Sequence, residues 1–430
     1  MKTGKARFWL ALTIFSLVGQ VAWVVENMYL NVFIYKMFRA DSLAISAMVA
    51  ASAVSATVTT LLIGALSDKL GKRKLFICGG YILWGISILC FALLRTDVLS
   101  ALFPYASAAT LGISLTIILD CVMTFFGSSA NDACFNAWLT DSTNESGRGA
   151  AEGVNAMMPL LAILVVFGGF MAFDLDKADS WTAIFLIIGA IVLLIGVLGL
   201  LLIRENTEKR DENKSFFANI LYGFRPSVVR NNPILYITLA AFAVFGISIQ
   251  VFMPYLILYY NVSLKMDNYV LIMAPAIILA AVFTALYGRF YDKGGFKKSI
   301  SISVALLILG YIVLYFFRTT APVFLGSLLM MCGYLAGMAV FGAMIRDYTP
   351  QGKAGMFQGL RIVGQVLIPG IIGPYIGAAV LQNAETVLND DGTTSFIPNQ
   401  NIFAAAAVVA LLLVVVLILE FKMIKGKKNG

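Results

Sequence analysis

Three carboxylates, Glu26, Asp120 and Asp132, stand inside long apolar stretches of this chain. A charged side chain at mid-membrane costs roughly 2.5–3.5 kcal/mol on insertion scales, so an acid kept there marks a site. A carboxylate accepts two hydroxyls at once, Asn and Gln add donors and acceptors, and Trp or Tyr faces cover the apolar side of a polyhydroxylated ring. Gln20, Trp23, Asn27, Asn131, Asn136, Trp138, Asn155, Gln250, Tyr255 and Gln365 could supply that set, with Arg361 pairing to a carboxylate. Each has a plainer reading. A single Asn or Gln fits an interhelical hydrogen bond of about 0.6 kcal/mol; Trp138 fits packing or an interface anchor; Arg361 fits a snorkelling residue at a membrane edge.

Two absences narrow the chemistry. The chain has no histidine, which removes histidine catalysis, the commonest metal ligand and the histidine type of proton relay. A coupled proton must then ride on a carboxyl, and burial favours the neutral form of such a group. The five cysteines, Cys78, Cys90, Cys121, Cys134 and Cys332, are scattered singly without a C-x-x-C pair. They read as small apolar packing residues, not as a disulfide or metal framework. No metal, cofactor or enzyme motif is found. Three acids against one arginine disfavour an anionic ligand.

On a helical wheel at about 100° per residue, Gln20, Trp23, Glu26, Asn27 and Asn31 share one arc of about 140°, a polar and aromatic side that lipid would reject. The same wheel puts Asp120 in the direction of Asn131 and turns Asp132 about 120° away, nearer Ser128 and Asn136. The expectation is that Asp120 and Asp132 do not serve one group.

The elements that must position these residues are membrane helices. The composition is 60% hydrophobic and 13% charged, with a mean hydropathy of +0.88, far from the balance of a soluble domain. A span needs roughly 20 apolar residues. Twelve such runs are centred near Leu17, Val54, Leu83, Leu119, Leu164, Leu193, Gly246, Leu279, Leu307, Gly333, Leu367 and Leu412. Basic residues concentrate at the two ends and in alternate connections, so both termini are expected on the cytoplasmic side of the cell membrane. The net charge of +8 follows from that topology, because the basic residues are spread over several loops and do not form a nucleic-acid face. The first run is too long for a cleavable signal and reads as a retained helix.

Residues 204–233 divide the chain, first charged (RENTEKRDENK), then amphipathic, with Phe216, Phe217, Ile220, Leu221 and Phe224 at helical spacing. This linker is expected to rest on the membrane interface. The segments on either side repeat one another. GALSDKLGKRK (Gly64 to Lys74) and GRFYDKGGFKK (Gly288 to Lys298) share a layout of glycine, acid, base, glycine and basic cluster; DSTNESGRGAAEGVN (Asp141 to Asn155) and DYTPQGKAGMFQGLR (Asp347 to Arg361) are a second pair. Prolines 159, 254, 275, 369 and 374 interrupt spans, and Gly333 with Gly337 and Gly373 with Gly377 give small faces for close helix packing.

The first glycine-acid-base segment fits, at every fixed position, the G-x-L-x-D-[RK]-x-G-[RK]-[RK]-[RK] signature of the major facilitator superfamily, and the second resembles its degenerate copy. The resemblance implies an all-α integral membrane protein of twelve helices in two pseudo-symmetric six-helix bundles, 1–203 and 234–430, around the 204–233 linker. It implies secondary transport by alternating access, and a gating set of Gly64, Asp68, Gly71, Lys72, Arg73, Asp141, Arg148, Asp292 and Asp347, whose contacts close the cytoplasmic side. The plainer reading of these loops is topogenic.

The stretch NDACFNAWLTD (Asn131 to Asp141), with the triplet Met28 to Leu30, resembles the glycoside-pentoside-hexuronide:cation symporters, the melibiose permease family. That likeness places Asp132 at the family's sugar-binding aspartate. It also shows departures. Ala56 and Thr60 stand where the family carries cation-binding acids, Gln20 where it has a sugar-contacting acid, and Val363 where it has a lysine. A sodium site is therefore doubtful, since a hard cation wants carboxylate oxygens. The expectation is a monomeric, proton-coupled sugar or glycoside symporter using Glu26, Asp120 or Asp132. A drug, amphiphile or lipid exporter of the same fold is the alternative.

Overall fold

The computed structural model describes residues 2–143, 145–205, 222–350, 354–389 and 392–429. The chain divides into two compact units, Met1–Lys214 and Ser215–Gly430. Eleven helices among the described residues are long and apolar enough to cross a membrane.

In the first unit these are α1 (Ala6–Phe38), α2 (Ser42–Leu70), α3 (Arg73–Phe91), α4 (Ala108–Asp141), α5 (Glu145–Phe170) and α6 (Ala178–Leu202). Local chemistry sets their ends. Asp41 caps α2 by accepting the Ala44 amide at 2.7 Å, and Gly71 ends it in the left-handed region at φ 63°, its amide on the Ser67 carbonyl. A glycine there carries no Cβ penalty. That same glycine closes the signature turn, so α3 begins at once with Arg73.

Glycines close the α3–α6 seam. A Cβ on Gly189 would stand 2.9 Å from the Leu89 amide nitrogen, and one on Gly196 would stand 2.6 Å from that of Ile82. The helices thus meet backbone to backbone, as small residues allow where lipid gives no hydrophobic drive.

The second unit holds α7 (Pro233–Ser263), then one run of 47 residues, Val270–Phe316. At about 1.5 Å per residue this run is about twice the hydrocarbon thickness. It breaks at Gly295, whose φ of 71° and ψ of 175° suit glycine alone. Counted as α8 (270–294) and α9 (296–316), and followed by α10 (Thr320–Tyr348), α11 (Gly359–Leu381) and α12 (Asn401–Lys425), it completes the twelve expected helices. Between α11 and α12 lies a short antiparallel hairpin, β1 (Thr386–Leu388) with β2 (Thr394–Phe396). It was not foreseen, because two three-residue strands carry almost no periodic signal. Its turn includes Gly392 at φ 78°.

Of the expected interfacial linker, Phe216, Phe217, Ile220 and Leu221 lie outside the described residues, and Phe224 is exposed at the end of a single 3-10 turn.

Candidate functional site

The predicted site residues gather where helices lose their α geometry. α1 opens into a π segment at Val25–Tyr29, α4 at Ser128–Phe135, α7 at Tyr259–Ser263 and α11 at Val363–Leu367. Such wide turns occur often at functional sites. Three of the four carry predicted residues: Glu26 and Asn27, Asn131 and Asp132, and Gln365.

Glu26 is buried, 5% exposed. Its Oε1 accepts the Ser52 hydroxyl from α2 and the Thr124 hydroxyl from α4, each at 2.8 Å, while Oε2 has no partner. Asp120, 2% exposed, sits one turn before Thr124, and its Oδ1 is likewise without a partner. The wheel is valid only at constant pitch, and Asp132 lies inside the π segment Ser128–Phe135, where each residue turns the helix less than 100°.

Asp132 is half-buried. Its Oδ2 accepts the Ser128 hydroxyl at 3.1 Å, from one turn earlier in the same helix. Beside it Asn136 donates to the Asp132 carbonyl at 3.2 Å and faces the Asn155 amide at 3.5 Å, and Asn155 in turn accepts the Ser16 hydroxyl. Gln20 and Trp23 are half-buried and Asn27 exposed; Asn27 donates to the Trp23 carbonyl at 2.8 Å. The Trp23 and Trp84 rings stand 5.0 Å apart, both with unpartnered indole nitrogens. The first unit thus holds two buried acids, Glu26 and Asp120, and one half-buried acid, Asp132, with the Asn136 and Asn155 amides beside it.

Other predicted residues are placed elsewhere. Asn131 is buried and donates to Tyr81 at 2.6 Å, and Tyr81 donates to the Phe15 carbonyl at 2.7 Å; Gly19 leaves room for that amide. This is an interhelical tie. Trp138, 3% exposed, donates to the Arg204 carbonyl at 3.0 Å and packs on Phe8 and Phe135, an anchor at the helix end. In the second unit Gln250 packs against Gly373, and the buried Tyr255 faces Gly377 and the Pro374 carbonyl. Arg361 donates to Gln365 at 3.3 Å and feels the charge of Arg346, with no carboxylate beside it among the described residues.

Of the gating set, Arg73 and Asp141 meet. Arg73 is 4% exposed, and its Nε lies 2.7 Å from Asp141 Oδ2. Glu205 receives the backbone amides of Arg73 at 2.9 Å and Lys74 at 3.1 Å, placing a carboxylate at the positive amino terminus of α3. A Cβ on Gly64 would stand 3.8 Å from the Ala133 Cβ, and Lys72 and Asp292 are exposed. Asp347 accepts the Tyr291 hydroxyl at 2.9 Å. The side chains of Asp68 and Arg148 lie outside the described residues.

Sequence reasoning missed Ser52, Thr124 and Glu420, and named Ser128 only as a direction on the wheel near Asp132. Thr124 and Ser128 stand four residues from Asp120 and Asp132, a spacing that shares a helix face and could have flagged them; Ser52 has no such signal. Glu420 stands near the end of the last apolar run, two residues before Lys422. It is fully buried, its Oε1 2.5 Å from the Thr238 hydroxyl of α7.

The Major Facilitator Superfamily profile matches residues 8–342 and 276–429. No curated protein sequence matches the chain. Among solved structures, the nucleoside transporter NupG superposes with a TM-score of 0.72 at 14% identity, covering 97% of this chain and 98% of its own. A D-xylose-proton symporter gives 0.70 at 15%, covering 95% and 96%. A bacterial homologue of the human lysosomal transporter Spinster gives 0.68 at 16%, covering 98% and 97%. At such identities the likeness concerns the fold.

Proposed function

The chain belongs to the Major Facilitator Superfamily, and on that footing we propose that it is a proton-coupled symporter of a sugar or glycoside working by alternating access. The observation that carries the reading is the set of three acids in the first unit, Asp132 half-buried and Glu26 and Asp120 buried. Asp132, half-buried beside Asn136 and, through it, Asn155, offers a carboxylate and amides to hydroxyls on a ring. Glu26 and Asp120 each keep one carboxyl oxygen without a partner. A buried unpaired oxygen is costly, and a proton arriving there removes the charge. On this reading substrate and proton have separate seats along α4, Asp132 serving the first and Asp120 with Glu26 the second.

The solved neighbours named for nucleosides and for D-xylose with protons support a polar, hydroxylated cargo. The symporter-like segment from Asn131 to Asp141 supports it too. Ala56 and Thr60 offer no carboxylate at the related cation position, which favours protons over sodium.

The test is uptake of labelled glycosides into vesicles holding the purified protein, with an imposed proton or sodium gradient. Asp132→Asn is expected to weaken sugar transport by roughly 10- to 100-fold, the loss of a charged acceptor for a hydroxyl. Glu26→Gln and Asp120→Asn are expected to abolish proton stimulation while sugar exchange down its own gradient persists. Sugar uptake absent altogether, with a cationic dye leaving the vesicles instead, would replace this reading by the exporter.

A further inference from the structure

A groove of about 530 Å³ runs between α9 and α12 in the second unit. Its walls are the apolar faces of the two helices, with Ala305 and Ile308 on one side and Val414 and Ile418 on the other. Lys297, Lys422 and Lys425 crowd one end. We propose that this groove holds an anionic phospholipid, its phosphate among the three lysines and an acyl chain along the two helices.

Length agrees with that occupant. From Lys297 to Ile308, and from Val414 to Lys425, each wall rises about 16 Å at 1.5 Å per residue, roughly half the hydrocarbon core of about 30 Å. The groove is therefore as deep as one leaflet, with its basic end at the level of the headgroups. Charge agrees as well. None of the three lysines has an ion-pair partner among the described residues, and the one acid nearby on α12, Glu420, is turned to Thr238 on α7. The Lys297 ammonium, on an exposed side chain, lies 5.4 Å from the centre of the Phe421 ring at the mouth of the groove. Ser301, one turn into the groove, donates its hydroxyl to the Lys297 carbonyl at 2.8 Å.

The other unit shows what closes such a seam. α3 and α6 meet through Gly85, Gly189 and Gly196, each with the partner backbone where a Cβ would be. α12 carries no glycine from Asn401 to Lys425, and α9 spends Gly310 on α10, where a Cβ would meet the Met330 backbone. Without such glycine contact from α12, the α9–α12 seam keeps its groove, and a lipid chain fills it. Basic pockets between membrane helices are recognised seats for anionic headgroups.

The experiment is native mass spectrometry of the full chain purified in detergent, offered phosphatidylglycerol or phosphatidylcholine. Wild type is expected to retain one phosphatidylglycerol in preference to phosphatidylcholine. A lysine near a membrane surface contributes about fivefold to anionic lipid binding, so Lys297→Gln, Lys422→Gln and Lys425→Gln together should lower retention by about 100-fold. Ala305→Trp, at an exposed position, fills the groove and leaves the lysines; it too should lose the lipid. Equal retention of phosphatidylcholine, or phosphatidylglycerol held undiminished by either variant, would overturn the proposal. So would displacement by millimolar inorganic phosphate, which would reduce the site to three lysines. None of these outcomes depends on the transported substrate.

Discussion

Gly79 and Gly85 stand one and a half turns apart in α3, and the same substitution to alanine is expected to have opposite effects at the two. Around Gly79 a new Cβ would have nothing within 4 Å beyond its own helix. Alanine there gains helix propensity, about 0.5–1 kcal/mol, with no clash. At Gly85 the new Cβ would lie 2.6 Å from the Leu193 Cβ and 2.7 Å from its Cα, and closer still to its amide nitrogen. These are backbone and near-backbone atoms of a packed helix, so no rotamer change relieves them. Overpacking of this kind costs about 1–3 kcal/mol, and contact at three atoms places it in the upper part of that range. After the propensity gain, Gly85→Ala should destabilise by about 1–2 kcal/mol while Gly79→Ala is neutral or stabilising. Thermal unfolding of both variants in one detergent, followed by a thiol-reactive dye on the buried Cys78, reads the difference directly. Equal transition temperatures would refute the claim that α3 and α6 meet backbone to backbone.

Two further outcomes follow from polar contacts at the helix ends. Arg73→Gln, Asp141→Asn and the double variant should show a coupling of about 1–2 kcal/mol in unfolding, since Arg73 is nearly buried and the bond is charge-assisted, with the partial exposure of Asp141 reducing it; strictly additive effects would deny the pair. The Arg95 guanidinium, hydrogen-bonded to Asp97, holds that carboxyl below the ordinary aspartate value of 3.8. Its stabilisation is therefore present above that value and lost as pH falls through the lower folded-state value. Wild type should melt above Asp97→Asn at neutral pH and low salt, and the gap should close in acid and in high salt; a gap that widens in acid would reverse the assignment.

Much of the fold is legible in the residue order because a bilayer is an unforgiving solvent. Each crossing must be a long apolar run with its backbone satisfied internally, so twelve runs announce twelve helices, and Gly295 alone separates two that would otherwise read as one. The acids are legible for the same reason. Glu26, Asp120 and Asp132 stand out because almost nothing else charged is tolerated beside them, whereas Glu420 escaped notice because its neighbours Lys422 and Lys425 disguise the end of the span. The partners of these acids were far less visible. Ser52 is one hydroxyl among many in a stretch rich in Ala, Ser and Thr, and small hydroxyls carry little cost in a helix that can bond them to its own carbonyls.

What the sequence determines by itself is the number of helices, the duplication, the signature turn at Gly71 and the identity of the acids, all of which depend on composition and local spacing. The tertiary structure alone decides which acid meets which hydroxyl and which seam is open. π segments at Val25–Tyr29 and Ser128–Phe135 change the pitch, so directions taken from a regular wheel fail beyond them. Whether two helices touch or leave a lipid-sized groove depends on glycines on one helix facing backbone on another, a match between distant positions that no single stretch of sequence contains.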